Sequence, residues 1–206
     1  MASVQSWPVC SHSRADCLTK SMHIHPAELD GLLVLEPVVR SDERGFFIES
    51  FRSELLAEAG VSEAFVQDNH SRSMHAIVRG MHFQPGQAKL VRCARGAIFD
   101  VVVDIRVGSP TFGRWQGFEL NDETHKQLFI PDGFAHGFCV LGDVADVTYK
   151  VSSYYDAATE AGFRFDDPDV GIEWPIAPDQ LVASARDRQA PTLAELTPLL
   201  PFTYVA

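Results

Sequence analysis

Residues 97–105 read AIFDVVVDI. In extended backbone successive side chains point to opposite faces, so Phe99, Val101, Val103 and Ile105 share one face. Ile98, Asp100, Val102 and Asp104 share the other. Both faces are substantially apolar, which places this strand in the middle of a layered β-structure rather than on a half-solvated edge. Asp100 and Asp104 must then be paired or sit at a wet end, because an isolated buried carboxylate is costly. Taken with this strand alone, they are hydrogen-bonded structural carboxylates.

Outward from this strand the same grammar repeats. LLVLEPVV (32–39), GFFIESF (45–51), AKLVRCA (88–94), KQLFI (126–130), GFCVL (137–141) and ADVTYKV (145–151) are short apolar runs punctuated by Gly, Pro and Asp turns. That pattern predicts an all-β sandwich or barrel. A helical period shows only in RSELLAEAG (52–60) and around APTLAELTPLL (190–200), so helices are short accessories. DPDVGIEWPIAPDQ (167–180) reads as a Pro/Asp-rich wrap over the surface. No internal repeat or interdomain linker interrupts the series, and one domain over residues 22–206 is the simplest organisation. The lead, residues 1–21, lacks the apolar core of a signal peptide and reads as a disordered extension.

The chain has 206 residues, 46% of them hydrophobic, enough to bury a sizeable core. Seventeen Lys and Arg stand against 28 Asp and Glu, a formal charge of −11, which argues against nucleic acid or an anionic membrane as partner. An anionic substrate therefore needs a local basic pocket. No apolar run reaches the roughly 18 residues of a membrane helix. The four cysteines, Cys10, Cys17, Cys93 and Cys139, form no CxxC pair, and are expected to be reduced thiols in the cytoplasm.

Polar, titratable residues concentrate in QDNHS (67–71), RGMHFQPGQAK (79–89), PDGFAHGF (131–138) and TYKVSSYYD (148–156). His82, between Met81 and Phe83, is by itself a residue type more often found as a satisfied core or wall histidine than as a base. Inside a barrel, however, Arg79, Gln84 and Lys89 around it make a dry environment costly. PDGFAHGF matches the PxGxxH half of the cupin signature, but the other half fails. A metal cupin supplies HxH and a carboxylate, whereas this chain has His82-Phe83-Gln84 followed by Lys89, whose charge repels a divalent ion. No metal or other cofactor is expected. Phosphate loops, serine elbows and dinucleotide fingerprints are missing from the sequence, which leaves acid–base chemistry.

RGFFIESF, QDNHS, VRGMHFQ, QAKLVRCARGAIFDVVVDIRVGSPTFG, IPDGFAHGF, TYKVSSYY and DDPDVGIEWP, in this order, resemble the dTDP-4-dehydrorhamnose 3,5-epimerase family. The resemblance implies a cupin-type jelly roll that inverts C3 and C5 of dTDP-4-keto-6-deoxy-D-glucose through an enolate, giving dTDP-4-keto-L-rhamnose for dTDP-rhamnose biosynthesis. It also implies His82 as base and Asp167 as its partner carboxylate, with Asp166 the adjacent fallback. Lys89 is implied beside the enolate oxygen and Tyr149 as proton donor. Arg44 and Arg79 are implied as contacts for the diphosphate. Glu49, Gln67, Asn69, His136, Tyr155 and Glu160 fall on further binding positions. On an unbroken strand Tyr149 and Tyr155 would share a face. Family members are usually homodimers that exchange an N-terminal strand, so Arg44 and Glu49 are expected to act across an interface.

Two neighbouring activities share these motifs. A single-carbon epimerase of a related dTDP-4-keto sugar would use the same residues, with regiochemistry set by how the sugar turns in the pocket. A non-catalytic sugar-binding cupin should have lost the base or its carboxylate, and a metal cupin oxygenase is disfavoured by His-Phe-Gln.

Overall fold

The apolar strand Ala97–Asp104 lies inside a sheet and has neighbours on both edges. The protein is described by a computed structural model over residues 21–205. The extension inferred for residues 1–21 therefore lies, apart from Ser21, outside the described residues. Thirteen strands follow in chain order: β1 (Met22–Pro26), β2 (Leu33–Pro37), β3 (Arg40–Asp42), β4 (Gly45–Phe47), β5 (Gln67–Met74), β6 (Val78–Phe83), β7 (Lys89–Arg95), β8 (Ala97–Asp104), β9 (Trp115–Asn121), β10 (Gln127–Ile130), β11 (Phe134–Val140), β12 (Val144–Val151) and β13 (Ala161–Gly162). Among the described residues the helices are α1 (Ser53–Glu58), α2 (Ala185–Arg188) and α3 (Leu193–Leu196), with a 3₁₀ turn at Thr197–Leu199.

The strands form a six-stranded sheet, β1-β2-β10-β7-β12-β5, and a five-stranded sheet, β13-β6-β11-β8-β9, besides the β3-β4 hairpin. Sequence neighbours such as β6 and β7 fall in different sheets, so the chain crosses repeatedly between layers in the manner of a jelly roll. The two faces of β8 do different work. Ile98 and Val102 join Val91, Leu128 and Val147 in the core between the sheets. Val101, Val103 and Ile105 pack outward against Phe163, Leu193 and Phe202, so the C-terminal segment covers this face. The apolar content of both faces thus has its cause in two distinct cores.

Asp104 ends the strand, accepting from the Arg106 guanidinium at 2.8 Å, Ser109 Oγ at 2.7 Å and Thr111 Oγ1 at 2.6 Å. Trp174 and Val170, from the Pro/Asp-rich wrap, pack on the outer cores as expected of a surface cover.

Contacts divide the chain into two compact units. One is Ile24–Glu36 with Glu63–Ala206; the other, in its described part, is residues 21–23 with Pro37–Ser62. The smaller unit holds the β3-β4 hairpin and α1, with Phe46 and Phe47 exposed on the hairpin.

Candidate active site

Between β6 and β11 the sequence dictates an unusually close approach. A Cβ added to Gly137 would lie 2.7 Å from Met81 Sδ and 2.8 Å from the Arg79 carbonyl oxygen. Gly80 has φ +142°, a conformation that only glycine adopts readily, and its added Cβ would lie 2.6 Å from Gly137 Cα. RGMH and AHGF therefore carry glycines because the backbones touch there. His82 and His136 are Cα partners in this ladder, and the register slips between His136 and Phe138.

A cavity of about 580 Å³ opens beside this pair. His82, Arg79 and His136 line it from the five-stranded sheet, and Asn69, Lys89 and Tyr149 from the six-stranded sheet. Tyr155 and Glu160, from the segment after β12, complete the predicted residues on its walls. Base and phenol candidates thus project from opposing sheets.

The partner of His82 differs from the expectation. His82 Nε2 lies 2.7 Å from Asp187 Oδ1, and both line the cavity. Asp187 sits at the third position of α2, where its own N–H donates to the capping Ser184 Oγ at 3.1 Å. Burial pushes the Asp187 carboxyl up, but the hydrogen bond and charge of His82, aided by Ser184 and the Gly80 N–H, hold it below its ordinary value.

Asp167 is instead a turn residue. It accepts from the N–H groups of Asp169 at 2.9 Å and of Leu193, the first residue of α3, at 2.6 Å. Asp166, the fallback, forms an ion pair with Arg164 at 2.7 Å. Both carboxylates of FDDP are committed to local turn and surface partners, which is why neither faces His82.

Lys89 is buried, its ammonium donating to the His82 carbonyl oxygen at 3.3 Å. Burial lowers its pKa to about 8, against the opposing charges of Glu160 and Asp100. Tyr149 is pushed up by burial and then by Glu160, so it remains a protonated phenol across the neutral range. Arg79 lines the cavity and donates to Ser73 Oγ at 2.9 Å.

Strand β12 ends at Val151, so Tyr155 does not reach the cavity by the period-two alternation of an unbroken strand. It arrives through a bend in which Gln67 Oε1 accepts its backbone N–H at 3.1 Å, and its hydroxyl donates to Glu160 Oε2 at 3.2 Å. Gln67 also donates to Asn69 Oδ1 at 2.9 Å; it holds two lining residues without lining the cavity itself. Arg44 and Glu49 lie in the smaller unit, where Arg44 pairs with Asp42 and Glu49 with Arg52.

Two charged lining residues were not foreseen: Asp187, and Arg186 beside it, whose guanidinium pairs with Glu160 at 2.7 Å. The signal for Asp187 was the Ser-x-x-Asp spacing of 184–187, a helix-start pattern that places a carboxylate in the first turn. Nothing local ties it to a histidine 105 residues away in sequence.

Two facing β-sheets enclosing a histidine–carboxylate pair, a buried lysine and a protonated tyrosine define a cupin-type isomerase that works by moving protons. Residues 26–195 match the profile of the dTDP-4-dehydrorhamnose 3,5-epimerase family, and the chain belongs to that family. A dTDP-4-dehydrorhamnose 3,5-epimerase of Methanothermobacter thermautotrophicus is 47% identical over 170 residues, covering 81% of this chain and 92% of the relative. A 3-epimerase of Streptomyces niveus, dTDP-4-dehydrorhamnose 3-epimerase, is 43% identical over 84% of this chain and 85% of its own. Among solved structures, a 3,5-epimerase of Legionella pneumophila in complex with dTDP-4-keto-L-rhamnose superposes with TM-score 0.86 at 44% identity, covering 90% of this chain and all, 100%, of that one.

Proposed function

We propose that the chain inverts C3 and C5 of dTDP-4-keto-6-deoxy-D-glucose, giving dTDP-4-keto-L-rhamnose. The observation that carries this reading is the His82–Asp187 pair, 2.7 Å long, on the wall of a cavity that also holds Lys89 and Tyr149.

A C–H bond beside a ketone is acidified because the resulting carbanion delocalises onto the carbonyl oxygen. Neutral His82 takes that proton at Nδ1 or, after a shift of its hydrogen bond, at Nε2, and Asp187 stabilises the imidazolium that forms. The Lys89 ammonium faces negative charge that grows only as the enolate develops, so its effect is larger in the transition state than in the ground state. Tyr149 returns a proton from the opposing sheet, and delivery from the other face is what inverts the carbon. Arg79 supplies a guanidinium for diphosphate oxygens. Asn69, His136, Tyr155 and Glu160 offer sugar and base contacts, while Gln67 holds Asn69 and Tyr155.

In this reading the enzyme is a cytoplasmic homodimer in which N-terminal strands pair with the partner's sheet, bringing Arg44 and Glu49 to the partner's substrate. The exposure of Phe47, 69%, supports a covering partner. Light scattering of the purified protein tests the dimer, with a monomer at micromolar concentration the contrary result.

Incubation with dTDP-4-keto-6-deoxyglucose in heavy water, followed by NMR, tests the reaction. Deuterium at both C3 and C5 is expected. Deuterium at one carbon makes the chain a single-carbon epimerase, a reading whose precedent is the 3-epimerase 43% identical to this chain. Binding without exchange makes it a sugar-binding cupin. His82→Asn is expected to abolish exchange with the fold intact, and chelator treatment to leave activity unchanged.

A further inference from the structure

We propose that Asp100 is a positioning residue of this site, the buried carboxylate that fixes the ring of His136 in the cavity that Lys89 also lines.

Asp100 lies on β8 with its side chain wholly buried, and its Oδ2 is 2.8 Å from His136 Nε2. Among the described residues no donor reaches Oδ1. A carboxylate kept out of water with half of its accepting capacity unused is costly, and a pair kept only for stability would be replaced favourably by apolar side chains. Its neighbours supply the reason for keeping it. His136 lines the cavity as the direct cross-strand partner of His82. With Nε2–H donated to Asp100, a neutral His136 has one tautomer, leaving Nδ1 as its acceptor.

Lys89, from the opposing sheet, is coupled electrostatically to the same carboxyl. Burial raises the Asp100 carboxyl above its ordinary value, and His136 and then Lys89 offset only part of that rise. The charged groups facing Lys89 are Asp100 on β8 and Glu160 ahead of β13; those facing Asp100 are His136 on β11 and Lys89 on β7. The His82–Asp187 pair, Tyr149, Tyr155, Arg79 and Arg186 supply the remaining ionisable groups of the cavity. Asp100 thus serves the enolate from behind, by holding one donor or acceptor in place and helping another to keep its proton.

The inference rests on the reading of Lys89 as counter-charge to the enolate. Asp100→Asn keeps the size and one hydrogen bond but removes the charge. The variant is expected to lose on the order of 10–100-fold in kcat with KM changed less than about twofold, the mark of an interaction made chiefly in the transition state. The alkaline limb of its kcat profile should move to lower pH, because Lys89 loses an anion that favours its protonated form. An unchanged kcat and unchanged limb in a folded variant would overturn the proposal.

If Asp100→Asn does not fold, ring ¹⁵N shifts of His136 in the wild-type enzyme decide instead. The Nε2–H tautomer or the doubly protonated ring is expected, and an Nδ1–H tautomer overturns the assignment. Failure of the epimerase reading itself is distinguishable, since the wild-type enzyme would then exchange no deuterium at all.

Discussion

His82 and His136 stand opposite one another across the β6–β11 ladder, and each holds a buried carboxylate by Nε2, Asp187 at 2.7 Å and Asp100 at 2.8 Å. The two pairs differ in exposure. The His82 side chain is 27% exposed and that of His136 10%, with Asp100 wholly buried. In the proposed reaction the more open ring exchanges protons with the bound sugar, and the enclosed one is held by its carboxylate.

Asp187 and Asp167 should therefore fail differently when changed. Asp187→Asn leaves His82 with a neutral partner and is expected to lower kcat by roughly 10²–10⁴-fold, with modest loss of stability. Asp167→Asn weakens acceptors at the start of α3 and in a buried turn, and should cost about 1–3 kcal/mol of stability while kcat per folded molecule holds. Steady-state kinetics beside thermal unfolding separates them. A catalytic collapse in Asp167→Asn with wild-type kinetics in Asp187→Asn would reverse the assignment.

Lys89 sets the expected pH dependence. Its pKa is drawn down to about 8 by burial, so the ammonium is present below that pH and lost above it. Activity should fall on the alkaline side with an apparent pKa near 8, a limb that Tyr149, shifted upward, does not produce. Lys89→Met should lower kcat by about 10²–10³-fold. The same change should raise unfolding free energy near neutral pH by on the order of 1–3 kcal/mol, because an ammonium no longer has to be desolvated. A destabilised Lys89→Met with an unaltered alkaline limb counts against both statements.

Arg186 is half-exposed at the cavity and paired with Glu160, so its contribution should be to binding more than to chemistry. Arg186→Gln is expected to raise KM for the nucleotide sugar by roughly tenfold, with kcat within a fewfold of wild type. The KM effect should shrink as salt is added, since the guanidinium is open to screening. A kcat effect with KM untouched would instead tie Arg186 to the geometry of the adjacent Asp187.

Much of this site was legible through the motifs that carry the family resemblance, and strand geometry explains why those motifs converge. Asn69, His82, Lys89 and Tyr149 each lie within or at the start of a strand whose alternation fixes where a side chain points. Tyr155 was harder: β12 stops at Val151, and the bend that carries Tyr155 to the cavity depends on Gln67 from another strand. Asp187 illustrates a different limit. It comes from a four-residue helix in the C-terminal cover, and only the packing of that cover brings it to His82. FDDP offered two nearer-looking carboxylates, and no property of a single chain distinguishes a turn-capping aspartate from one facing a histidine. Asp100 was read as structural because its alternation placed it in a core, and that core turned out to border the cavity.

The close contact of β6 with β11 gives the last test. A methyl group at residue 137 meets Met81 Sδ at 2.7 Å, the Arg79 carbonyl oxygen at 2.8 Å and Gly80 Cα at 3.0 Å, so neither a rotamer change nor a small side-chain shift relieves it. Gly137→Ala must part the two strands or distort them, at a cost of about 2–4 kcal/mol, which for a chain of this size lowers Tm by roughly 5–15 °C. Because His82 and His136 are paired across that ladder, the separation also displaces the base from its substrate. Displacement of about 1 Å can reduce a rate 10²-fold, so kcat should fall even at temperatures where the variant is fully folded. Gly142→Ala has nothing within 4 Å of the added methyl and is the matched control, expected to keep both Tm and kcat near wild type. Equal behaviour of the two variants would mean that β6 and β11 do not approach as closely in solution as the glycines imply.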